Sequence, residues 1–136
     1  MKSIKWTNKL VIGIPEIDKQ HHELIDTINK TEALVKKKGS DVDTKKIIDS
    51  LTSFARVHFS TEEEIFAKWN YPKATEHMLE HEKLIIRVLK FENDFEKKKQ
   101  EVLPELLDFL IEWLENHLKK HDFKYRDYFR EIGKIK

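Results

Sequence analysis

Five histidines and one glutamate occupy positions that the surrounding helical periodicity reserves for apolar side chains: His21, His58, Glu62, His77, His81 and His117. One histidine in such a place reads as a core residue satisfied by a hydrogen bond. Six polar groups on four stripes are costly, at ~1–3 kcal/mol for each buried group left without a partner. A metal ion relieves that cost by accepting the lone pairs. His58 and Glu62 are four residues apart, as are His77 and His81, so each pair projects from one helical face a turn apart. Glu63 and Glu64 turn about 100° and 200° from Glu62 and read as solvated, and His22 turns away from His21 in the same manner.

Imidazole and carboxylate without sulfur suit iron, zinc, copper, nickel or manganese. His77-Met78-Leu79-Glu80-His81 also matches the H-x-x-E-H pattern of one zinc peptidase class. A single zinc ion needs only three protein ligands and would leave the other buried histidines unexplained. The number of ligand-type groups suits two ions.

The elements that must position these residues follow from the same periodicity. Residues 1–16 read as an extended arm, with Trp6, Leu10, Ile12 and Ile14 apolar and Gly13 and Pro15 interrupting any helix. Four amphipathic helices are expected at about 17–38, 42–69, 74–97 and 102–120. The tail 122–136 carries Phe123, Tyr125, Tyr128, Phe129 and Ile132, as a short extra helix. Long helices with short connections predict an all-α, antiparallel up-down four-helix bundle with an extended N-terminal arm and a short C-terminal helix, one domain over 1–136. In such a bundle His21, His58, His81 and His117 each lie about 16 to 19 residues from the loops at one end, a common depth of ~25–29 Å. Unrelated core histidines would have no reason to align. The lysine runs 36–38 and 97–99 read as solvated helix ends.

Composition narrows the classes. The 136 residues hold 26 Lys+Arg against 25 Asp+Glu, a net charge of +1 that offers no field for nucleic acid or an anionic membrane. With no cysteine, disulfides, thiolate metal sites, iron–sulfur clusters and thiol nucleophiles are excluded. Three glycines and three prolines are too few for a β-sandwich or barrel. No apolar run approaches a transmembrane span, and the first residues lack a secretory h-region, so the expected location is the cytoplasm.

In order and spacing the motifs resemble the hemerythrin family, in its single-domain bacterial form. The resemblance runs from Trp6 to Tyr125. It rests on Trp6…Gly13…Ile17-Asp18-Lys19-Gln20-His21-x-x-Leu24, His58-x-x-x-Glu62, His77-x-x-x-His81 and His117-x-x-x-x-Asp122, with Trp113-Leu114 before the last histidine.

The resemblance implies two iron ions joined by an oxo or hydroxo bridge. His77, His81 and His117 would hold one iron. His21 and His58 would hold the other, which keeps a position for dioxygen, and Glu62 and Asp122 would bridge. Leu24, Phe59, Trp113 and Leu118 would form a dry wall around the dioxygen position. The implied function is reversible dioxygen binding for storage, delivery or sensing, without enzymatic turnover, by a chain expected to be monomeric. The alternatives are a di-iron enzyme reducing peroxide or nitric oxide, and an iron-handling or repair protein. Spacing and resemblance conflict at one point: on a regular helix His121, not Asp122, shares the face of His117. Following the family requires a wider turn or a break there, and leaves His121 facing solvent or the tail.

Overall fold

The computed structural model describes residues 6–97 and 102–136. The first five residues of the expected arm, and the stretch 98–101 with most of the second lysine run, lie outside the described residues. The fold is the all-helical bundle that the periodicity predicts. After a 3-10 turn at Asn8–Leu10 come α1 (Pro15–Lys37), α2 (Asp41–Trp69), α3 (Ala74–Glu96) and α4 (Val102–His117). A π-helical segment, Leu118–Asp122, leads directly into α5 (Phe123–Glu131). Helix α1 contacts α2 and α4, and α3 also contacts α2 and α4, so the four long helices close a ring.

Each boundary has a local cause. Pro15 opens α1, where its missing N–H costs nothing. The Asp18 carboxylate accepts from the backbone N–H of Ile12 at 2.7 Å and of Gly13 at 3.1 Å, tying the arm to the first turn of α1. At the end of α1 the left-handed residue is Lys38 (φ 53°), while Gly39 lies so close to Leu34 that an added Cβ would stand 3.0 Å from Leu34 Cδ2. Ser40 and Asp43 form a capping box at the start of α2, and Asn70, at φ 53°, closes its end.

One core runs through the ring. It includes Ile17, Leu24, Ile28, Leu51, Phe66, Leu84, Leu106, Leu107, Leu110, Tyr125 and Phe129, with Ile12 and Ile14 of the arm inserted at its edge. Into this core the bundle also places, among the described residues, eleven buried polar ones. Seven of them meet at one place.

Candidate metal centre

His21 comes from α1, His58 and Glu62 from α2, His77 and His81 from α3, His117 from the end of α4 and Asp122 from the π segment. All seven side chains are buried, none more than 3% exposed. They fall into two groups of four, each with its ligand atoms within 4.8 Å of one another: Glu62, His77, His81 and His117; and His21, His58, Glu62 and Asp122. Glu62 belongs to both. Its Oε1 stands 2.8 Å from His81 Nε2, 3.1 Å from His58 Nε2 and 3.2 Å from His77 Nε2. Asp122 straddles the groups, with Oδ1 2.9 Å from His117 Nε2 and 3.3 Å from His77 Nε2, and Oδ2 3.1 Å from His21 Nε2.

The π segment explains how Asp122 arrives. The Phe123 N–H donates to the Leu118 carbonyl five residues back, so the turn is wider than an α turn and five residues do what four would do. Asp122 therefore reaches the face of His117. His121, expected to face solvent or the tail, instead stands half-buried against α3. Its Nε2 is 3.7 Å from Glu80 Oε1, and its ring lies 5.6 Å from that of His117 and 6.0 Å from that of His77. Neither ligand group includes it. His22 is 53% exposed beside Asp26 and Trp6, and Glu63 and Glu64 stay outside the cluster.

Proximity here is not pairing. His58 Nε2, His81 Nε2, His117 Nε2, Glu62 Oε2 and both Asp122 oxygens have no hydrogen-bond partner despite their close neighbours. The atoms are near without being aligned as donor and acceptor. Six such atoms at about 1–3 kcal/mol each would burden a fold of ordinary stability severely. The donor set therefore fits a metal centre, in which those lone pairs point at cations.

Charge is divided unevenly across the cluster. Burial pulls His77 down, but Asp122 and Glu62 beside it carry it up to about 9. Burial opposes His21 too, and Asp122 outweighs it, raising that ring. For His81 burial prevails over Glu62 and the ring falls to about 4. His58 is likewise lowered, by burial first. Burial would raise Glu62, yet the charge of His58 and the adjoining imidazoles hold it well below the usual carboxylate range. Asp122 is pushed up by burial and by Glu62, and His117 and His21 more than reverse this. These opposed shifts are what close packing of unlike charges produces in a dry site.

The surroundings divide the remaining sequence-predicted residues. Leu24, Phe59 and Leu118 are buried, and Phe59 stacks on His81 at 3.7 Å with the rings 10° apart. Trp113 stacks on His117 at 4.4 Å but is only half-buried, and it lines a groove between α3 and α4 that opens to solvent.

Two neighbours of the cluster, Gln20 and Tyr125, escaped the periodicity reading. Gln20 is buried and its Oε1 lies 2.7 Å from His58 Nδ1, while its amide nitrogen donates to Thr61 Oγ1 at 3.0 Å. A glutamine three residues after Ile17 and four before Leu24, on an otherwise apolar stripe, was the available signal for it. Tyr125 is fully buried and its hydroxyl has no hydrogen-bond partner. Burial first, then the charges of Glu62 and Asp122, push that hydroxyl well above its ordinary range.

Comparison with known proteins gives a consistent picture. A family model described as the hemerythrin HHE cation binding domain matches residues 12–128. A bacteriohemerythrin of Clostridium acetobutylicum is 34% identical over 128 residues, covering 90% of this chain and 98% of that protein. A hemerythrin-like protein of Naegleria gruberi is 30% identical over 121 residues, covering 89% of each. Among solved structures, a wild-type hemerythrin crystal structure superimposes with a TM-score of 0.82 at 27% identity, covering 91% of this chain and 95% of that one.

Proposed function

Because this chain belongs to the hemerythrin family, we propose that its buried cluster is a non-haem di-iron centre and that the protein binds dioxygen reversibly. The observation that carries the proposal is the pair of four-residue groups sharing Glu62 and spanned by the two oxygens of Asp122. One group is richer in imidazole: His77, His81 and His117 would close the coordination of one iron. The other has only His21 and His58 besides the carboxylates, and it is there that a position for dioxygen would remain. Glu62 and Asp122 would bridge. When bound, the iron pair supplies two electrons to dioxygen and takes them back on release.

The chain's own residues do the rest. Five neutral imidazoles against two carboxylates make a centre poor in anions, which supports reversible binding over chemistry that needs strongly oxidised iron. Ferritin-like di-iron enzymes, with their Glu and Glu-x-x-His sets, are built the opposite way. Buried Leu24, Phe59 and Leu118 limit water near the site, and water would promote loss of the electrons to solvent. The Gln20 and Thr61 hydrogen bonds orient His58. We take the protein to work as a cytoplasmic monomer that stores or delivers dioxygen.

The test is iron analysis joined to the visible spectrum during cycling between deoxygenated and aerated buffer. Two irons per chain with bands that appear and disappear reversibly are expected. One firm equivalent of metal, or zinc in protein grown with ample iron, defeats the dinuclear reading. Irreversible bleaching, or oxidation of a test phenol at enzyme-like turnover, defeats the carrier.

A further inference from the structure

Resting on the reading of the cluster as an iron centre, we propose that the groove between α3 and α4 is the path by which a ferrous ion reaches it, with Glu80 and His121 as transient ligands on the way. The seven cluster side chains are so well buried that an ion must shed its water before it arrives. A hard cation loses its hydration shell cheaply only where protein donors replace the water in steps. The groove, about 650 Å³, provides such steps. Glu80 and His121 stand on its wall, 27% and 24% exposed, with 3.7 Å between Oε1 and Nε2, so a single ion can touch both. Beyond them, also lining the groove, lies His117, 3% exposed and with neither ring nitrogen hydrogen-bonded. The His121 ring is 5.6 Å from that of His117 and 6.0 Å from that of His77. Donors thus run from solvent to the cluster without a gap, and Glu80 and His121 belong to neither ligand group.

Two features refine the picture. Lys83 donates to Glu80 at 3.1 Å and is 72% exposed, so it competes with an arriving ion for the carboxylate and is free to swing into solvent. A second, smaller groove of about 240 Å³ between α2 and α3 also reaches the cluster at His81. There the Phe59 ring lies flat on His81, and among the described residues the carboxylates lining it are Glu63 and Glu82, with no imidazole outside the cluster. It serves as the control.

The experiment measures the rate at which the metal-free full-length chain takes up ferrous iron without oxygen, by quenching aliquots with a coloured ferrous chelator, and it records the final iron content separately. Glu80→Gln and His121→Ala are each expected to slow uptake, and together by about tenfold, the lower end of what local charge contributes to a cation's approach. Lys83→Gln should accelerate it. Glu63→Gln should change nothing, and every variant should reach the same two irons per chain. Unchanged rates in the double variant, or equal slowing by Glu63→Gln, overturn the path. If His121→Ala lowers the final iron content instead, His121 is a permanent ligand and the path is again overturned. A parent chain that binds no iron removes the iron reading itself, a result distinct from all of these. Circular dichroism on each variant confirms that the bundle is intact, and Lys83→Gln, a change at an exposed side chain, keeps the proposal testable if another variant misfolds.

Discussion

Gln20 Oε1 lies 2.7 Å from His58 Nδ1, and the rest of the chain leaves only one way to read that contact. Thr61 donates its hydroxyl hydrogen to the Val57 carbonyl, so towards Gln20 it can only accept. Gln20 therefore presents its NH2 group to Thr61 and its oxygen to His58. An amide oxygen accepts, so Nδ1 of His58 carries the proton and Nε2, which faces Glu62, keeps its lone pair. A hydrogen-bond relay from a helix carbonyl thus selects the tautomer whose free lone pair faces the cluster.

Gln20→Leu should leave the bundle folded yet lower the iron affinity of the His58 side by about 10- to 100-fold, the usual effect of removing such a partner. Iron retained against graded chelator measures it. Gln20→Glu, which keeps the acceptor, should restore most of the affinity. Equal retention in parent and Gln20→Leu would remove the relay from the account.

Asp122→Ala should abolish the di-iron spectrum and lower the thermal midpoint of the iron-loaded protein, since both groups lose an oxygen that faces them and bound metal stabilises only the folded chain. His121→Ala should keep final iron content and spectrum. Loss of the centre in His121→Ala with retention in Asp122→Ala would show the ligand to be His121.

His81→Ala and His117→Ala should lose iron more completely than His21→Ala. The first two remove donors from the imidazole-rich group, while the third strips the sparser one and leaves a mononuclear remnant. Iron per chain after gel filtration separates the cases, and identical retention in all three contradicts the division.

The metal-free chain should be most stable near pH 6.5. His77 titrates at about 9 when folded and at 6.5 in its ordinary state, so its stabilising contribution is complete below 6.5 and fades as pH rises through 9. His81 falls to about 4, so between 6.5 and 4 the unfolded chain takes up a proton that the folded one refuses, and stability drops as pH falls. Thermal midpoints should decline by several degrees on either side, at roughly pH 5 and 8.5. Adding ferrous iron at pH 7.5 should expel the His77 proton, visible with an indicator dye in weak buffer. A flat profile from pH 5 to 9 would contradict both shifts.

Much of this was legible in the residue order, because helical periodicity exposes any polar group that breaks an apolar stripe. His21, His58, Glu62, His77, His81 and His117 were visible in that way. Asp122 was not. Its place depends on a π turn whose extra residue leaves no mark in composition, so regular spacing favoured His121 and only the family pattern pointed to Asp122. The position of His121 depends in turn on Glu80, 41 residues earlier and on another helix, a pairing that no local rule supplies. Gln20 could be seen as a polar residue on a buried face, but its partners lie on α2, 38 and 41 residues away. Local order sets which side chains face inward. Which of them touch is decided between helices.

The π turn at Leu118–Asp122 has a consequence beyond the carboxylate it delivers to the cluster. Counted at about 100° per residue, Tyr125 and Phe129 would point about 80° and 120° away from His117 on an uninterrupted helix. With one residue absorbed by the wide turn, they fall within about 20° of it. That phase change is why both rings are fully buried, meeting Phe66 and Tyr71 where the bundle would otherwise gape. Forcing Leu118–Asp122 into a plain α-helix with every residue kept would therefore turn the whole terminal segment by about 100° about its axis. The carboxylate and the aromatic plug would lose their places together, because a single inserted residue sets the phase of both.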